Sequence, residues 1–182
     1  NETLNLLIQT PASYLGSCRK KLPDMNKDID IYKTIFSVFE KMNVGYFFYI
    51  GGNDSMDTVD KLNDYARLNN IDIKILGVPK TIDNDLPVTD HTPGFGSAAK
   101  YIASTVKEIS VDAFVYDLKS VLIVEIMGRN AGWLTAASAL ARNEENIAPH
   151  LIYLPENIFS LEGFLEDVRN MAEKYGNIVV CV

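Results

Sequence analysis

The stretch YFFYIGGNDS, residues 46–55, contains the pattern on which the fold prediction rests. Its first five residues are apolar and the next two are glycines, as expected for a buried strand that ends in a tight turn. The polar residues Asn53, Asp54 and Ser55 are typical of the first turn of a helix. The stretch therefore predicts a strand, a turn and a helix in direct succession.

The same alternation of strand and helix continues on both sides of this unit. Apolar or β-branched runs predict further strands at Ile71–Val78, Val121–Met127, Leu151–Leu154 and Asn177–Val182. Apolar residues recur at helical spacing in Asp30–Met42, Val59–Ala66, Phe95–Ile109, Trp133–Ala141 and Leu161–Ala172, the last with Ser160 as its N-cap. Nearly continuous apolar strands separated by amphipathic helices predict an α/β fold with a doubly wound, mostly parallel sheet covered on both faces.

The composition limits the classes of partner that the protein can have. The chain has 182 residues, of which 47% are hydrophobic and 23% charged, and its formal net charge is −7. An acidic balance argues against nucleic acid and anionic membranes as main partners. The sequence contains no apolar run long enough for a membrane span and no signal peptide, and its two cysteines show no CxxC spacing. We therefore expect a cytoplasmic protein.

Three polar segments are expected to meet at one edge of the predicted sheet. Ligands of doubly wound folds bind beyond the carboxyl ends of the strands. Gly51–Ser55, Pro79–Asp85 and Met127–Asn130 each follow a predicted strand. The order of the elements alone therefore predicts a ligand site there. Residues 79–93 form the longest break in the pattern and are interpreted as a loop that crosses between domains.

The first segment has the features of a phosphate-binding turn. Gly52 allows backbone N–H groups to approach a phosphate at the start of a helix. Asn53 and Ser55 offer oxygen atoms to Mg²⁺ or to the phosphate itself. The alternative is a tight strand–helix turn in which Asn53, Asp54 or Ser55 serves only as the N-cap.

The second segment, PKTIDND, places a cation, a hydroxyl and two carboxylates within six residues. In an extended chain Thr81, Asp83 and Asp85 would point to one side. One carboxylate could then accept the proton of an attacking hydroxyl and the other could bind Mg²⁺, while Thr81 and Lys80 bind the phosphoryl group in transfer. The alternative is a solvated loop whose Asp and Asn residues form local turns.

Three further sites offer groups for anions or sugars, each with a structural alternative. Arg129 follows Gly128 at a predicted strand end and could bind a phosphate with both of its nitrogens, or could pair with a nearby acid. Arg19 lies in a Gly/Ser turn with three successive cations, which could bind an anion or simply form a solvated face. Glu156 could accept hydrogen bonds from sugar hydroxyls or begin a turn.

Taken together, GGNDS, PKTIDND, GFGSAA, EIMGRNAGW and LPE resemble the phosphofructokinase family, in its order and with its spacing, over nearly the whole chain. The resemblance implies transfer of a phosphoryl group to the 1-hydroxyl of fructose 6-phosphate, with Mg²⁺, in glycolysis. It implies that residues 1–90 belong to the subdomain that binds the donor and residues 91–182 to the subdomain that binds the sugar phosphate. It also implies assembly into a homo-oligomer.

The resemblance carries roles to individual residues. Asp83 resembles the proton acceptor, with Thr81 and Asp85 flanking it in phosphate contact and in metal or charge organisation. Asn53 occupies a position where the family commonly has a metal-binding Asp, so its own metal binding is doubtful and Asp85 is the other candidate. Met127, Gly128 and Arg129 correspond to the family's contact with the sugar phosphate. Glu156 corresponds to the acid that binds the sugar hydroxyls, and Arg19 to the arginine that reaches the transferred phosphate.

Two positions bear on the phosphoryl donor. ATP-dependent members usually have glycine where this chain has Asp54 and Lys80, and this pair is similar to pyrophosphate-dependent members. A carboxylate at Asp54 would repel the α-phosphate of ATP, and Lys80 adds a cation for a small, highly charged donor. Pyrophosphate is therefore the predicted donor, and the alternatives are an ATP-dependent enzyme and a non-catalytic relative that only binds sugar phosphate, which Asn53 favours.

The family's N-terminal glycine-rich loop and C-terminal His/Arg loop have no counterpart in the 182 residues. We therefore expect the chain to be a central fragment of such an enzyme, with a sheet that is incomplete at both ends. By itself this fragment is expected to have little or no activity.

Overall fold

The computed structural model of the protein describes residues 5–10, 16–18 and 20–182. The chain forms two compact units, Asn1–Val78 and Pro79–Val182. Each unit has its own sheet and its own packed helices. The functional division at residues 90 and 91 concerns ligand binding and stays a prediction.

The first unit pairs two strands with two helices. Its elements are a short 3-10 helix at Leu7–Gln9, α1 (Ile29–Lys41), β1 (Tyr46–Gly51), α2 (Asn53–Leu68) and β2 (Lys74–Pro79), and β1 is hydrogen-bonded to β2. The helix α1 begins where the side chain of Asp28 accepts a hydrogen bond from the N–H of Ile31. This arrangement confirms the strand, turn and helix predicted from residues 46–55.

The core of the first unit lies between its helices and one face of the sheet. The ring of Tyr65 stacks on Tyr32 with centroids 5.3 Å apart and lies 4.7 Å from Phe36. Phe47 and Tyr49 of β1 pack against this cluster, whereas Tyr46, Phe48 and Ile50 on the opposite face are exposed. The alternation along β1 shows that this unit covers one face of its sheet, not the two faces that the apolar run predicted.

The second unit contains a three-stranded parallel sheet in the order β3–β5–β4. Its elements are α3 (Phe95–Ala113), β3 (Val121–Val124), α4 (Trp133–Ala137), a 3-10 helix at Ser138–Ala141, β4 (Leu151–Ile152), α5 (Leu161–Tyr175) and β5 (Ile178–Cys181). All four residues of the central strand β5 are fully buried. The side chain of Ser160 accepts a hydrogen bond from the N–H of Gly163, so the predicted N-cap of the last helix is confirmed.

The α/β class and the parallel strands are therefore confirmed. Within the described part of the chain the strands form two sheets, of two and three strands, rather than one continuous sheet. In these same residues, no helix combines the length and the apolar character that crossing a membrane requires.

His150 joins the two strands β4 and β5 through its ring as well as its backbone. Its backbone N–H donates to the carbonyl of Val179 at 2.8 Å, and its Nδ1 accepts from the N–H of Val179 at 3.1 Å. The ring packs against Tyr175 and Phe114, at centroid distances of 5.0 and 5.9 Å. Burial, together with the positive charge of Arg142, lowers the pKa of His150 below its ordinary value of 6.5.

We expect this histidine to make the fold sensitive to acid. Protonation would convert Nδ1 from an acceptor into a donor that faces the N–H of Val179. Because the pKa of His150 is lower in the folded protein than in the unfolded chain, unfolding takes up a proton. Its contribution to stability is therefore complete above the unfolded pKa of 6.5 and is lost as the pH falls from there toward the folded pKa.

Thermal unfolding of the intact protein between pH 8 and pH 5 checks this expectation. The melting temperature of the wild type should fall on acidification, and His150→Gln, which keeps an acceptor but does not titrate, should flatten that dependence. The exposed residue His91 is the only other histidine in the sequence, so His91→Gln is the matched control and should retain the wild-type dependence. An unchanged dependence in His150→Gln would show that other groups are responsible.

Candidate active site

All three predicted segments follow strands in the structure. Gly51–Ser55 lies at the end of β1 and the start of α2, Pro79–Asp85 contains the end of β2, and Met127–Asn130 follows β3. The first segment belongs to the first unit and the other two belong to the second. Arg19, the predicted contact of the transferred phosphate, lies outside the described residues.

The turn at Gly51 and Gly52 brings the backbone close to the first turn of α2. A β-carbon at Gly51 would collide with the hydroxyl of Ser55, so only glycine fits there. The helix begins at Asn53, and the carbonyl of Gly52 accepts from the N–H groups of Ser55 and Met56 at 3.0 and 3.1 Å. The N-terminus of a 16-residue helix favours a bound anion.

Asp54 gives that helix terminus a negative charge of its own. It lies in the first turn of α2, its side chain is 86% exposed, and one oxygen lies 3.8 Å from Nζ of Lys21. An exposed ion pair of this kind is weak, so the carboxylate remains available to repel an approaching anion. The exposed side chain of Asn53 shares this end of the helix.

The PKTIDND segment bends instead of running extended. The chain turns at Ile82 and Asp83, and Asn84 has a left-handed backbone with φ of 57°. The extended chain that would put Thr81, Asp83 and Asp85 on one side is therefore not observed, and that prediction is wrong. All three side chains are partly buried, whereas Lys80 is exposed. Oγ1 of Thr81 accepts from the N–H of Asp83 at 3.0 Å and thereby fixes this bend.

Asn84, which the sequence analysis did not single out, closes this loop. Its side chain is buried, its Oδ1 accepts from the N–H of Thr92 at 2.9 Å, and its Nδ2 donates to the carbonyl of Asp90 at 3.3 Å. The available signal was the tolerance of asparagine for left-handed backbone in a polar loop. The pairing with residues 90 and 92 has no local sequence signature.

The segment after β3 depends on a glycine for its shape. Gly128 has φ of 134°, and a β-carbon there would collide with the carbonyl of Ala131. The N–H of Ala131 in turn donates to the carbonyl of Gly128 at 3.2 Å. This tight turn leaves the side chains of Met127 and Arg129 exposed, so both can reach a ligand in solution.

Glu156 lies against the residue that precedes α4. Its Oε1 accepts from the N–H of Gly132, the residue before α4, at 2.7 Å. A β-carbon at Gly132 would lie only 2.6 Å from Oε2, so the close approach requires glycine. The structure thus places Glu156 against Gly132, two residues after the Met127–Asn130 segment, and the carboxylate keeps acceptor sites beyond the one that Gly132 uses.

The GFGSAA motif connects the two segments of the second unit. The ring of Phe95, the first residue of α3, lies 5.5 Å from His91 and 6.4 Å from Trp133. A β-carbon at Gly94, where φ is 90°, would lie 3.2 Å from a methyl group of Ile82. The start of α3 therefore packs against both the loop that contains Asp83 and the start of α4.

The oxygen donors of the PKTIDND loop suit Mg²⁺. The described part of the chain has no cluster of three or more His, Cys, Asp and Glu side chains that could enclose a metal ion. Mg²⁺ does not require such a cluster, because it is usually bound by one or two carboxylates together with the phosphates of a substrate and water. The loop offers two such carboxylates, Asp83 and Asp85, and both are partly buried.

Comparison with known proteins identifies the family of the chain. The family model described as "PFK: Phosphofructokinase" matches residues 1–182. A "Pyrophosphate--fructose 6-phosphate 1-phosphotransferase" of Rhodospirillum rubrum is 44% identical over 98% of this chain and 43% of its own length. The protein of the same name from Xanthomonas campestris pv. campestris is 47% identical over 96% of this chain and 42% of its own length.

A solved structure supports the fold over the whole chain. The crystal structure of pyrophosphate-dependent phosphofructokinase from Marinobacter aquaeolei matches with a TM-score of 0.79 and 44% sequence identity, and it covers 100% of this chain and 45% of that one. The chain thus spans less than half the length of the relatives that it matches.

Proposed function

The chain belongs to the phosphofructokinase family, and we propose that the protein transfers a phosphoryl group from pyrophosphate to the 1-hydroxyl of fructose 6-phosphate. The observation that carries this proposal is the likeness, across nearly the whole chain, to relatives whose names specify that reaction. Asp54 and Lys80 add support from the chain itself, because they replace the glycines of ATP-dependent members.

The loop Pro79–Pro93 supplies the chemistry of transfer. The carboxylate of Asp83 accepts the proton of the sugar 1-hydroxyl as its oxygen forms a bond to phosphorus. The phosphorus–oxygen bond to the leaving phosphate breaks, and orthophosphate departs with the bridging oxygen. Thr81 and Lys80 contact the phosphoryl group, whose negative charge they help to stabilise.

The remaining site residues bind and orient the two substrates. Arg129, with the backbone at Met127 and Gly128, binds the 6-phosphate, and Glu156 accepts hydrogen bonds from sugar hydroxyls. Gly52, Asn53, Asp54 and Ser55 line the approach of the donor, and Arg19 contacts the transferred phosphate.

Mg²⁺, when bound by Asp85 and pyrophosphate oxygens, would neutralise charge on the donor. A contribution of Asn53 to metal binding is secondary, since an amide oxygen carries no charge.

A particular residue argues for or against each of the two alternatives. An ATP-dependent enzyme is disfavoured by the carboxylate of Asp54 at the anion-binding end of α2. A non-catalytic sugar-phosphate-binding protein is favoured by Asn53 alone, whereas the loop retains both of its carboxylates. Assembly into a homo-oligomer and a cytoplasmic location remain predictions of the family resemblance and of the composition.

Phosphorus NMR of the intact protein tests the reaction directly. Incubation with fructose 6-phosphate, pyrophosphate and Mg²⁺ should give fructose 1,6-bisphosphate and orthophosphate in equal amounts. Orthophosphate added to the bisphosphate should regenerate pyrophosphate, and a chelator should stop both directions. Release of orthophosphate without formation of the bisphosphate would instead indicate hydrolysis of pyrophosphate and would overturn the proposal.

A further inference from the structure

The polar loop of the second unit contains one side chain that faces inward between two that serve the reaction. Asn84 separates Asp83 from Asp85 in the sequence, and its side chain is buried, with a relative exposure of 7%. A side chain turned into the protein in this way does not meet the substrates. Its hydrogen bonds therefore act on the loop itself.

Both ends of the Asn84 amide are used. Oδ1 accepts from the N–H of Thr92 and Nδ2 donates to the carbonyl of Asp90, at 2.9 and 3.3 Å. A residue of a parallel strand makes the same pair of contacts through its own N–H and C=O, to the residues on either side of one neighbour. The amide thus ties Asn84 to a residue near the end of the loop, eight positions later.

A further hydrogen bond connects Thr92 to the helix α3. The carbonyl of Thr92 accepts from the N–H of Phe95, the first residue of that helix, at 3.2 Å. Thr92 itself is fully buried. Asn84 therefore attaches the segment with the two carboxylates to the rigid start of a 19-residue helix.

Asparagine is the residue type that meets every requirement at this position. It adopts the left-handed backbone observed here, with φ of 57°, more readily than most other residues. Its short amide provides one donor and one acceptor group. Aspartate lacks the donor, and glycine, which also accepts the backbone conformation, lacks both groups.

We propose that Asn84 is a positioning residue that holds Asp83 and Asp85 in their reactive geometry by clamping the loop to residues 90 and 92. This inference rests on the proposed function. Asp83 and Asp85 are the covalent neighbours of Asn84, with α-carbons about 3.8 Å away, so a shift of the clamped residue displaces both carboxylates. A displacement of about 1 Å from reactive geometry can slow an enzyme roughly 10²-fold.

Asn84→Gly in the intact protein tests the clamp, because it keeps the backbone conformation and removes both hydrogen bonds. We expect kcat with fructose 6-phosphate and pyrophosphate to fall about 10²-fold, while KM for the sugar phosphate changes by less than about threefold, since the loss concerns the transition state. The amide of Thr92 should also lose its protection from hydrogen exchange, whereas the amides of β5 keep theirs.

Thr92→Val is the matched control in the same loop. The variant retains the backbone N–H that donates to Oδ1 of Asn84. The hydroxyl that the variant removes is buried without a hydrogen-bond partner among the described residues. This variant should keep the wild-type kcat and KM. If Asn84→Gly does not fold, Asn84→Asp replaces it: the variant keeps the acceptor, loses the donor and should lower kcat, by less than about 10²-fold. An unchanged kcat in Asn84→Asp would then overturn the inference.

The outcomes separate this inference from the proposed function. A wild-type protein that forms no fructose 1,6-bisphosphate refutes the function, and the inference with it. A wild-type protein with turnover and an Asn84→Gly variant with unchanged kcat overturn the inference alone. The inference also fails if kcat and KM change together with a general loss of amide protection, because that result indicates a purely structural role.

Discussion

Asp83→Asn is expected to lower kcat of the intact protein by about 10²–10⁴-fold, the usual contribution of a general base. The amide has nearly the shape of the carboxylate but does not accept the proton of the sugar 1-hydroxyl. The bend that positions this residue depends on its backbone N–H, which donates to Oγ1 of Thr81 and is retained in the variant. The affinity for fructose 6-phosphate should therefore stay within about one order of magnitude.

Steady-state kinetics with saturating pyrophosphate and Mg²⁺ measure this effect. Asp117→Asn changes an exposed carboxylate outside the proposed site and serves as the control, with wild-type kinetics expected. If Asp83→Asn kept the wild-type kcat, the proton would have another acceptor and the proposed mechanism would be wrong.

The second large effect concerns the choice of donor. Neutralising Asp54 removes a carboxylate from the N-terminal end of α2, and neutralising Lys80 removes a cation from the loop after β2. Close like charges cost several kcal/mol in binding, and each 1.4 kcal/mol is a factor of ten. In the double variant Asp54→Asn, Lys80→Met we expect the ratio of kcat/KM for pyrophosphate to that for ATP to fall by about 10²–10³-fold.

The single variants divide this effect between its two causes. Asp54→Asn should mainly improve the use of ATP, and Lys80→Met should mainly impair the use of pyrophosphate. Asp60→Asn neutralises another exposed carboxylate further along α2 and should leave the ratio unchanged. A ratio that stays constant in the double variant would mean that other residues select the donor.

Periodicity predicted the order of elements because it reports directly on burial. The apolar runs located all five strands of the described residues, but four of them are shorter than predicted. Ile71–Val78 becomes Lys74–Pro79, Val121–Met127 becomes Val121–Val124, Leu151–Leu154 becomes Leu151–Ile152, and Asn177–Val182 becomes Ile178–Cys181. The N–H groups of Ile126 and Tyr153 still bond to the carbonyls of Val182 and Cys181 beyond these strands. Apolar composition therefore marks the region of the strand, whereas the hydrogen-bonded ladder is shorter.

The shape of the candidate site could not be predicted in the same way. Alternation treated residues 81–85 as extended, but the left-handed Asn84 and the turn at Asp83 redirect the chain. The bonds that hold this bend reach from Asn84 to Asp90 and Thr92, and no periodic pattern encodes them. The residue types of the site followed from the sequence, whereas their positioning depends on contacts within the folded unit.

The most direct test of the central claim is a comparison of donors. The intact protein is assayed for formation of fructose 1,6-bisphosphate from fructose 6-phosphate and Mg²⁺, with either pyrophosphate or ATP. We predict turnover with pyrophosphate and little or none with ATP. Turnover with ATP alone would contradict the assignment of Asp54 and Lys80, and turnover with neither donor would contradict an enzymatic function.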